Sequence, residues 1–311
     1  MDIGYDFYIS MMDKVNTNQL IIKTMEKIFK EEVVKRMSAY SEVSVAVHNG
    51  VFHADDVYSI ALLRELAKVC NFDLKVIRTR DKDVLASADM RVDVGMKYSE
   101  ETLDFDHHQN DASLLQEEGV KHAAFGLLCK WCLTKEFLGI FKPKYVLGLE
   151  HQDNTGGTHE KYASIGHFIH AFLPSYEEDV TFDEMFDEAV AVASTILQRC
   201  ISTTIGFIKS EKDVEGAITE VLADGKIVVM ERRMIIQQFL HPDWRFVISP
   251  DRNGGWGFLG LNQQLISSEL RGLNREMLAQ NGYKGTFTHV GGFTGLLDTK
   301  EEVINLCLAS L

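Results

Sequence analysis

The sequence predicts an α/β protein in two parts, a mostly parallel sheet domain followed by a smaller α+β domain. Three observations carry this. From about Val43 onward, short apolar runs alternate with helix-like stretches, the pattern of the βα units that build parallel sheets. Beyond Gly216 the apolar runs shorten and several are flanked by glycine. Clusters of histidine and aspartate recur at the ends of the early apolar runs, where open α/β sheets bind their ligands.

The elements follow in order. Residues 1–40 read as an N-terminal helical appendage, because Ile21, Met25, Ile28 and Val33 recur at helical spacing within 20–37 and no polar cluster falls there. The main domain is placed at 41–210. Its strands are expected at 43–47, 73–77, 90–94 and 102–105, and its helices at 55–69 and 81–88. An apolar helix-like stretch follows at 123–133. A long helix at 182–205, with Phe186, Ala189, Ala193 and Leu197 on one face, closes the domain. Residues 211–311 form the second domain, with extended runs at 226–230, 245–248, 256–259 and 286–289.

The bulk properties remove several classes of function. With 45% hydrophobic and 25% charged residues over 311 positions, the chain is neither disordered nor collagen-like. No apolar stretch is read as approaching the ~20 residues of a membrane helix. Asp2, Asp6 and Asp13 replace the basic start of a presequence, and five scattered cysteines suit reduced thiols, so a cytoplasmic location is expected. Cys129 and Cys132 lack a second pair to complete a zinc site and read as a buried helix face. A net charge of −14 argues against broad adhesion to nucleic acid or anionic membrane, so any attraction for phosphate must be local.

The polar clusters are His48 with His53, Asp55 and Asp56; Asp93 between two valines; Asp106-His107-His108; and Asp153 in a His-Gln-Asp-Asn run. Imidazole and carboxylate together suit Mn, Zn, Fe or Co better than Ca or Mg. A glycine turn at Gly50 brings a strand ending at His48 and a helix starting near Asp55 to one corner. Asp55 and Asp56 have helix capping as an alternative use. A carboxylate buried at Asp93 needs a cation: either a metal, which it can bridge to a second, or the guanidinium of Arg91. His107 and His108 point apart on an extended chain, so one can ligate metal while the other meets a phosphoryl oxygen; surface loop residues are the plainer reading. Asp106 is a ligand or orients an imidazole. Asp153 is a further ligand or part of a turn.

These strings resemble the DHH phosphoesterase superfamily, and within it the melanocyte-proliferating-gene (Myg-type) metal-dependent exonucleases. The resemblance rests on His48-Asn-Gly-Val-Phe-His53-Ala-Asp55, Val92-Asp-Val-Gly95, Asp106-His-His-Gln109 and His289-Val-Gly-Gly-Phe293, in order and spaced as in the family from about Ser44 to Leu308. It implies a DHH-type domain facing a substrate-binding domain, and phosphoester hydrolysis with two divalent ions, Mn²⁺ first among them. By position it implies His48, His53, Asp55, Asp93, His107 and Asp153 as metal ligands with Asp93 bridging. His108 would meet the scissile phosphate, and Gly291 and Gly292 would bind substrate through close backbone approach, with His289 beside them. A plain turn is the alternative for these glycines. Ala54 stands where cysteine is common, Asp56 where glutamate is, and Ala123-Ala124-Phe125-Gly126 where Ser-Ser-Ala-Gly is usual.

The expected function is therefore an exonuclease acting on short single-stranded RNA or DNA, with catalysis centred on Asp93, His107 and His108. Arg232, Arg233, Arg245 and Arg252, with Trp244 or Trp256 for stacking, offer a local path for a single-stranded end. The alternatives are a small-molecule phosphatase acting on dinucleotides or pyrophosphate, and a non-enzymatic protein with a vestigial site.

Overall fold

Strand β1 (Glu42–Val47) is apolar along almost its whole length, with Val43, Val45, Ala46 and Val47 all buried, and it occupies an interior place in its sheet. The structure, a computed structural model, describes residues 25–111, 114–116, 118–157, 164–236 and 240–311. The first sheet has the order β2-β1-β3-β5-β4, with β2 (Asp73–Arg78), β3 (Met90–Val92), β4 (Tyr98–Ser99) and β5 (Asp104–Phe105). β1 pairs in parallel with β2 and β3, β3 in parallel with β5, and only β4 runs antiparallel, at one edge.

The described chain divides into two compact units, with the break between Thr204 and Ile205. In the first, α1 (Glu31–Met37) precedes β1, α2 (Ala54–Cys70) joins β1 to β2, and α3 (Lys82–Ser87) joins β2 to β3. Then follow α4 (Ala124–Cys132), α5 (Lys135–Tyr145), α6 (Leu147–Thr155), α7 (Gly166–His170) and the long α8 (Phe182–Ala217), which runs through the break. α2 is the pillar of this unit: α4, α6 and α7 all contact it, and even Ser59 and Glu65 are buried. Of the expected appendage, 1–24 lies outside the described residues. From Met25 on the chain is packed in: Phe29 bridges to Leu133, Arg36 binds the carbonyls of Glu100 and Glu101 at 2.9 and 2.6 Å, and Met25, Ile28, Val33 and Met37 are buried.

One stripe of α8, including Phe186, Ala189, Val190, Ala193 and Leu197, is buried. By length and composition alone α8 is apolar enough to cross a membrane, the one such helix among the described residues, contrary to the expectation that no apolar stretch approaches that length.

The second unit holds β6 (Ile218–Leu222), β7 (Ile227–Met230), β8 (Phe246–Pro250), β9 (Trp256–Gly260), β10 (Gly285–Thr288) and β11 (Thr294–Leu297), in the order β10-β11-β9-β8-β7-β6. Only β7 and β8 pair in parallel, so both sheets are mixed. α9 (Arg275–Gln280) and α10 (Lys300–Leu308) complete the unit, and Val303, Leu306 and Cys307 of α10 pack with Phe246, Ile248 and Phe258 to form its core.

Candidate metal centre

The carboxyl ends of β1, β3 and β5 deliver the site. β1 stops at Val47, and His48 begins a turn through Gly50, whose φ of +82° a residue with a Cβ adopts poorly. Arginines at the end of β2 hold this turn: Arg78 binds the Gly50 carbonyl at 2.7 Å and Arg80 binds Asn49. The chain then buries Phe52 and enters α2 at His53. Asp56 accepts the His53 amide at 3.0 Å through one oxygen, and its other oxygen lies 3.0 Å from His48 Nε2. Capping and site chemistry are therefore both served by one carboxylate.

β3 ends one residue before Asp93, which takes the left-handed conformation with φ +54°. That departs from the expectation of a strand through residue 94. Aspartate adopts this conformation more readily than most residues, at a cost of roughly 1–2 kcal/mol for a non-glycine. The kink leaves the carboxylate between two histidine groups, Oδ2 at 3.1 Å from His48 Nε2 and Oδ1 at 3.3 Å from His107 Nε2. Arg91 is not its partner. The guanidinium binds Asp104 and the carbonyls of Leu85, Ala88 and Thr102.

After β5, Asp106 accepts hydrogen bonds from the Met96 amide at 2.6 Å, the His108 amide at 3.1 Å and His108 Nδ1 at 2.7 Å. It orients His108. The two imidazoles do not point apart as on an extended chain: their centroids are 4.4 Å apart and both approach Asp93. They differ in access, since His107 is buried whereas the His108 side chain is 53% exposed. His107 Nε2 also lies 3.1 Å from Asp153 and 3.8 Å from Asp55. Asp153 sits within α6, and the turn composition around it marks the end of that helix, where Gly156 caps at φ +69°.

Among the described residues, potential ligand atoms fall into three overlapping groups, each within 4.8 Å: His48, His53 and Asp93; Asp93, His107 and His108; His53, Asp55 and Asp153. The fold thus brings together His48, His53, Asp55, Asp93, His107, His108 and Asp153. Burial pushes the Asp55 carboxyl far above its usual range, and the charges of Asp93, Asp153 and Asp56 push it further. Burial opposes charge on His48 as well, but Asp56 and Asp93 outweigh it and hold the imidazole at about 10. Asp153 and Asp93 do the same for His107, also to about 10. Asp93, despite its burial, is held below the carboxylate range by His107 and His48.

A metal fits these residues on a direct observation. Asp55 is completely buried and neither of its oxygens has a hydrogen-bond partner, an arrangement that costs several kcal/mol without a cation. The mixed imidazole and carboxylate donors suit a borderline first-row divalent ion.

Behind the ligands lies a buried polar brace. Glu150 of α6 accepts from Gln116 at 2.8 Å and meets His122 Nδ1 at 2.7 Å, while Lys121 donates to the His107 carbonyl at 2.8 Å. His151, next to Glu150, joins none of the ligand groups. Cys129 and Cys132 are buried free thiols on α4, and burial pushes both pKa values up. His167 and His170, with Gln152, line a cavity that His53 and Asp153 share; the isolated Gly-His-Phe-Ile-His run gave no signal beyond two histidines three apart.

In the second unit, His289 accepts the Gly291 amide at 2.9 Å and packs on Phe293. Gly292 has φ +72°, and a Cβ there would fall 2.6 Å from Arg271 Nε, so the glycine is required by the turn itself. The expected basic path is partly engaged within the unit. Arg232 pairs with Glu231, Arg233 lies 3.8 Å from Asp251, Trp256 packs against the core, and Trp244 stacks on His241 with centroids 3.9 Å apart.

An α/β chain with imidazole and aspartate gathered at its strand ends defines a candidate metalloprotein. It belongs to the family described as MYG1_exonuc, Uncharacterised protein family (UPF0160), whose sequence model matches residues 44–132 and 147–311. Similar proteins include a MYG1 protein of Dictyostelium discoideum, 23% identical over 87% of this chain and 97% of its own length. A MYG1 protein of Saccharomyces cerevisiae is 26% identical over 89% and 99%, and a MYG1 exonuclease of Rattus norvegicus is 27% identical over 86% and 84%. No solved structure matches this chain.

Proposed function

We propose that this chain is a metal-dependent phosphodiester hydrolase of the DHH superfamily, an exonuclease that shortens single-stranded RNA or DNA with two divalent ions, Mn²⁺ foremost. The observation that carries the reading is Asp93, a buried carboxylate whose two oxygens face two separate imidazoles, His48 and His107. That is the placement a bridging ligand needs. The name of the rat relative, MYG1 exonuclease, supports the nuclease class.

His48, His53, Asp55, Asp93, His107 and Asp153 would hold the ions, with Asp93 between them. When bound, such a pair supplies an activated water and offsets charge on the leaving oxygen. His108, held at Nδ1 by Asp106, leaves its other ring nitrogen for a phosphoryl oxygen. The turn at His289, Gly291 and Gly292 is assigned to substrate, with His289 and Gly291 on its exposed side, and the protein to the cytoplasm. On this reading His289→Ala keeps its metal content and loses hydrolysis of oligonucleotides. Loss of metal from that variant would place His289 among the ligands instead.

The test is product analysis with labelled short RNA, short DNA, a dinucleotide and pyrophosphate, after chelation and after adding back Mn²⁺ or Mg²⁺. Chelation is expected to abolish turnover and Mn²⁺ to restore it better than Mg²⁺, because imidazole discriminates against magnesium. Single strands should be shortened from an end, with little action on blunt duplex. Equal rescue by Mg²⁺ would count against His48, His53 and His107 as ligands. Cleavage of a closed circular strand would reject end dependence. Turnover of pyrophosphate alone would favour a small-molecule phosphatase, a reading the charge of −14 also accommodates.

A further inference from the structure

The walls of the metal centre continue into a cavity of about 200 Å³ whose lining includes His53, Asp153, Gln152, Gly166, His167 and His170. Its two extra imidazoles come from one short helix, α7. They are three residues apart and so share a face. Both are solvent-accessible, and the His170 ring stands 5.7 Å from that of His53. Neither belongs to a metal-ligand group among the described residues.

Gln152 holds one of the two rings. Its side-chain amide nitrogen lies 3.0 Å from His167 Nδ1. With the amide nitrogen donating, Nδ1 accepts and the ring proton sits on Nε2. In that tautomer His167 offers an N–H at its far nitrogen. Gln152 is only 8% exposed, lines the same cavity, and its amide oxygen has no hydrogen-bond partner. Gly166 makes this packing feasible, since a Cβ there would fall 2.5 Å from that oxygen. Packed against Gly166, the Gln152 side chain holds its amide nitrogen beside the His167 ring.

We propose that His167 and His170 form a subsite for the phosphate group adjacent to the one being cleaved, an inference that rests on the phosphodiesterase reading above. The surrounding charge explains why donors are needed. Asp153 lines the cavity, and a second substrate phosphate entering there meets its carboxylate unless N–H groups stand between. The size also fits. The cavity is smaller than the ~300 Å³ and upward typical of sites for whole drug-sized ligands. It takes a phosphoryl group with part of its sugar and leaves a nucleobase outside. The subsite accordingly distinguishes an oligonucleotide from a phosphodiester that carries a single phosphate.

The test compares the Mn²⁺-loaded full chain with His167→Ala, His170→Ala and the double variant on two substrates, a single-stranded tetranucleotide and bis(4-nitrophenyl) phosphate. The ratio of kcat/KM for the tetranucleotide to that for the small diester should fall at least tenfold in the double variant, mainly through KM. Metal content measured by elemental analysis should be unchanged. His170→Gln, which restores an N–H donor, should recover part of the ratio. Binding is read independently by fluorescence anisotropy with a labelled phosphorothioate tetranucleotide, and should weaken by a similar factor. An unchanged ratio with unchanged binding overturns the subsite, and so does an equal loss on both substrates. Loss of metal from His170→Ala also overturns it, by making that residue a ligand. If the wild type hydrolyses neither compound, the phosphodiesterase reading fails, whereas the anisotropy still judges whether His167 and His170 hold a phosphate chain.

Discussion

Asp93→Asn is expected to slow hydrolysis by about 100-fold or more, roughly 2.7 kcal/mol in barrier terms, while the protein stays folded. The expectation of intact folding has a physical basis. Asparagine shares aspartate's tolerance for the left-handed backbone that residue 93 adopts at φ +54°. The Asp93 charge is also one of those that push Asp55 towards protonation, so its removal relieves repulsion as well as depriving His48 and His107 of a partner. The loss should come from metal chemistry. An amide has no net charge with which to hold two cations, and its nitrogen is a poor ligand. Metal content should fall together with rate, and circular dichroism should not change. If the variant kept more than about a tenth of the wild-type rate, a loss of under ~1.4 kcal/mol, the bridging role would be wrong.

What the sequence disclosed, and what it hid, follows from the kind of signal each residue gives. β1 and α2 were legible because Val43 to Val47 is a short unbroken apolar run and the next stretch has continuous helical character. Observed bounds of Glu42–Val47 and Ala54–Cys70 lie within one residue of those read. His48, Asp93 and His107 were legible because polar groups at the ends of apolar strands need partners. Asp153 reads as a further ligand with a turn as the alternative, because Asp-Asn-Thr-Gly-Gly is turn composition; the turn ends α6, a helix with too few apolar residues of its own to announce itself. The helices at Lys135–Tyr145 and Gly166–His170 were hidden for similar reasons, one by an internal Pro143 and the other by its length of 5 residues. α8 extends well past residue 205 through a charged stretch that resembles a linker. Such residues have good helix propensity, but no apolar stripe there signals the continuation. Capping is only the alternative reading of Asp56 in the sequence, and its contact with His48 depends on turn geometry that local patterns do not contain.

Gly126→Ala should cost about 3 kcal/mol of stability or more, although alanine is the better helix former. Taken alone, the replacement favours α4 by roughly 0.5–1 kcal/mol. Packing decides the sign. A Cβ at position 126 would fall 1.6 Å from Glu150 Oε1 and 2.4 Å from its Cδ, far inside contact distance. The carboxylate cannot swing away cheaply, because Gln116, His122 and the Ala123 amide all engage it at 2.7 to 3.3 Å in a buried setting. Overpacking costs ~1–3 kcal/mol, and leaving a buried charged group short of partners adds ~1–3 kcal/mol or more. Together these exceed the helical gain. The damage should also reach the metal centre, since Glu150 is one turn before Asp153 on α6, and Asn154 binds the Lys121 carbonyl at 3.0 Å while Lys121 holds the His107 carbonyl. Urea titration should show a lower midpoint with an unchanged slope, and metal affinity should weaken. A variant as stable as the parent would mean that Glu150 does not occupy the space against Gly126, and the brace behind His107 and Asp153 would have to be redrawn.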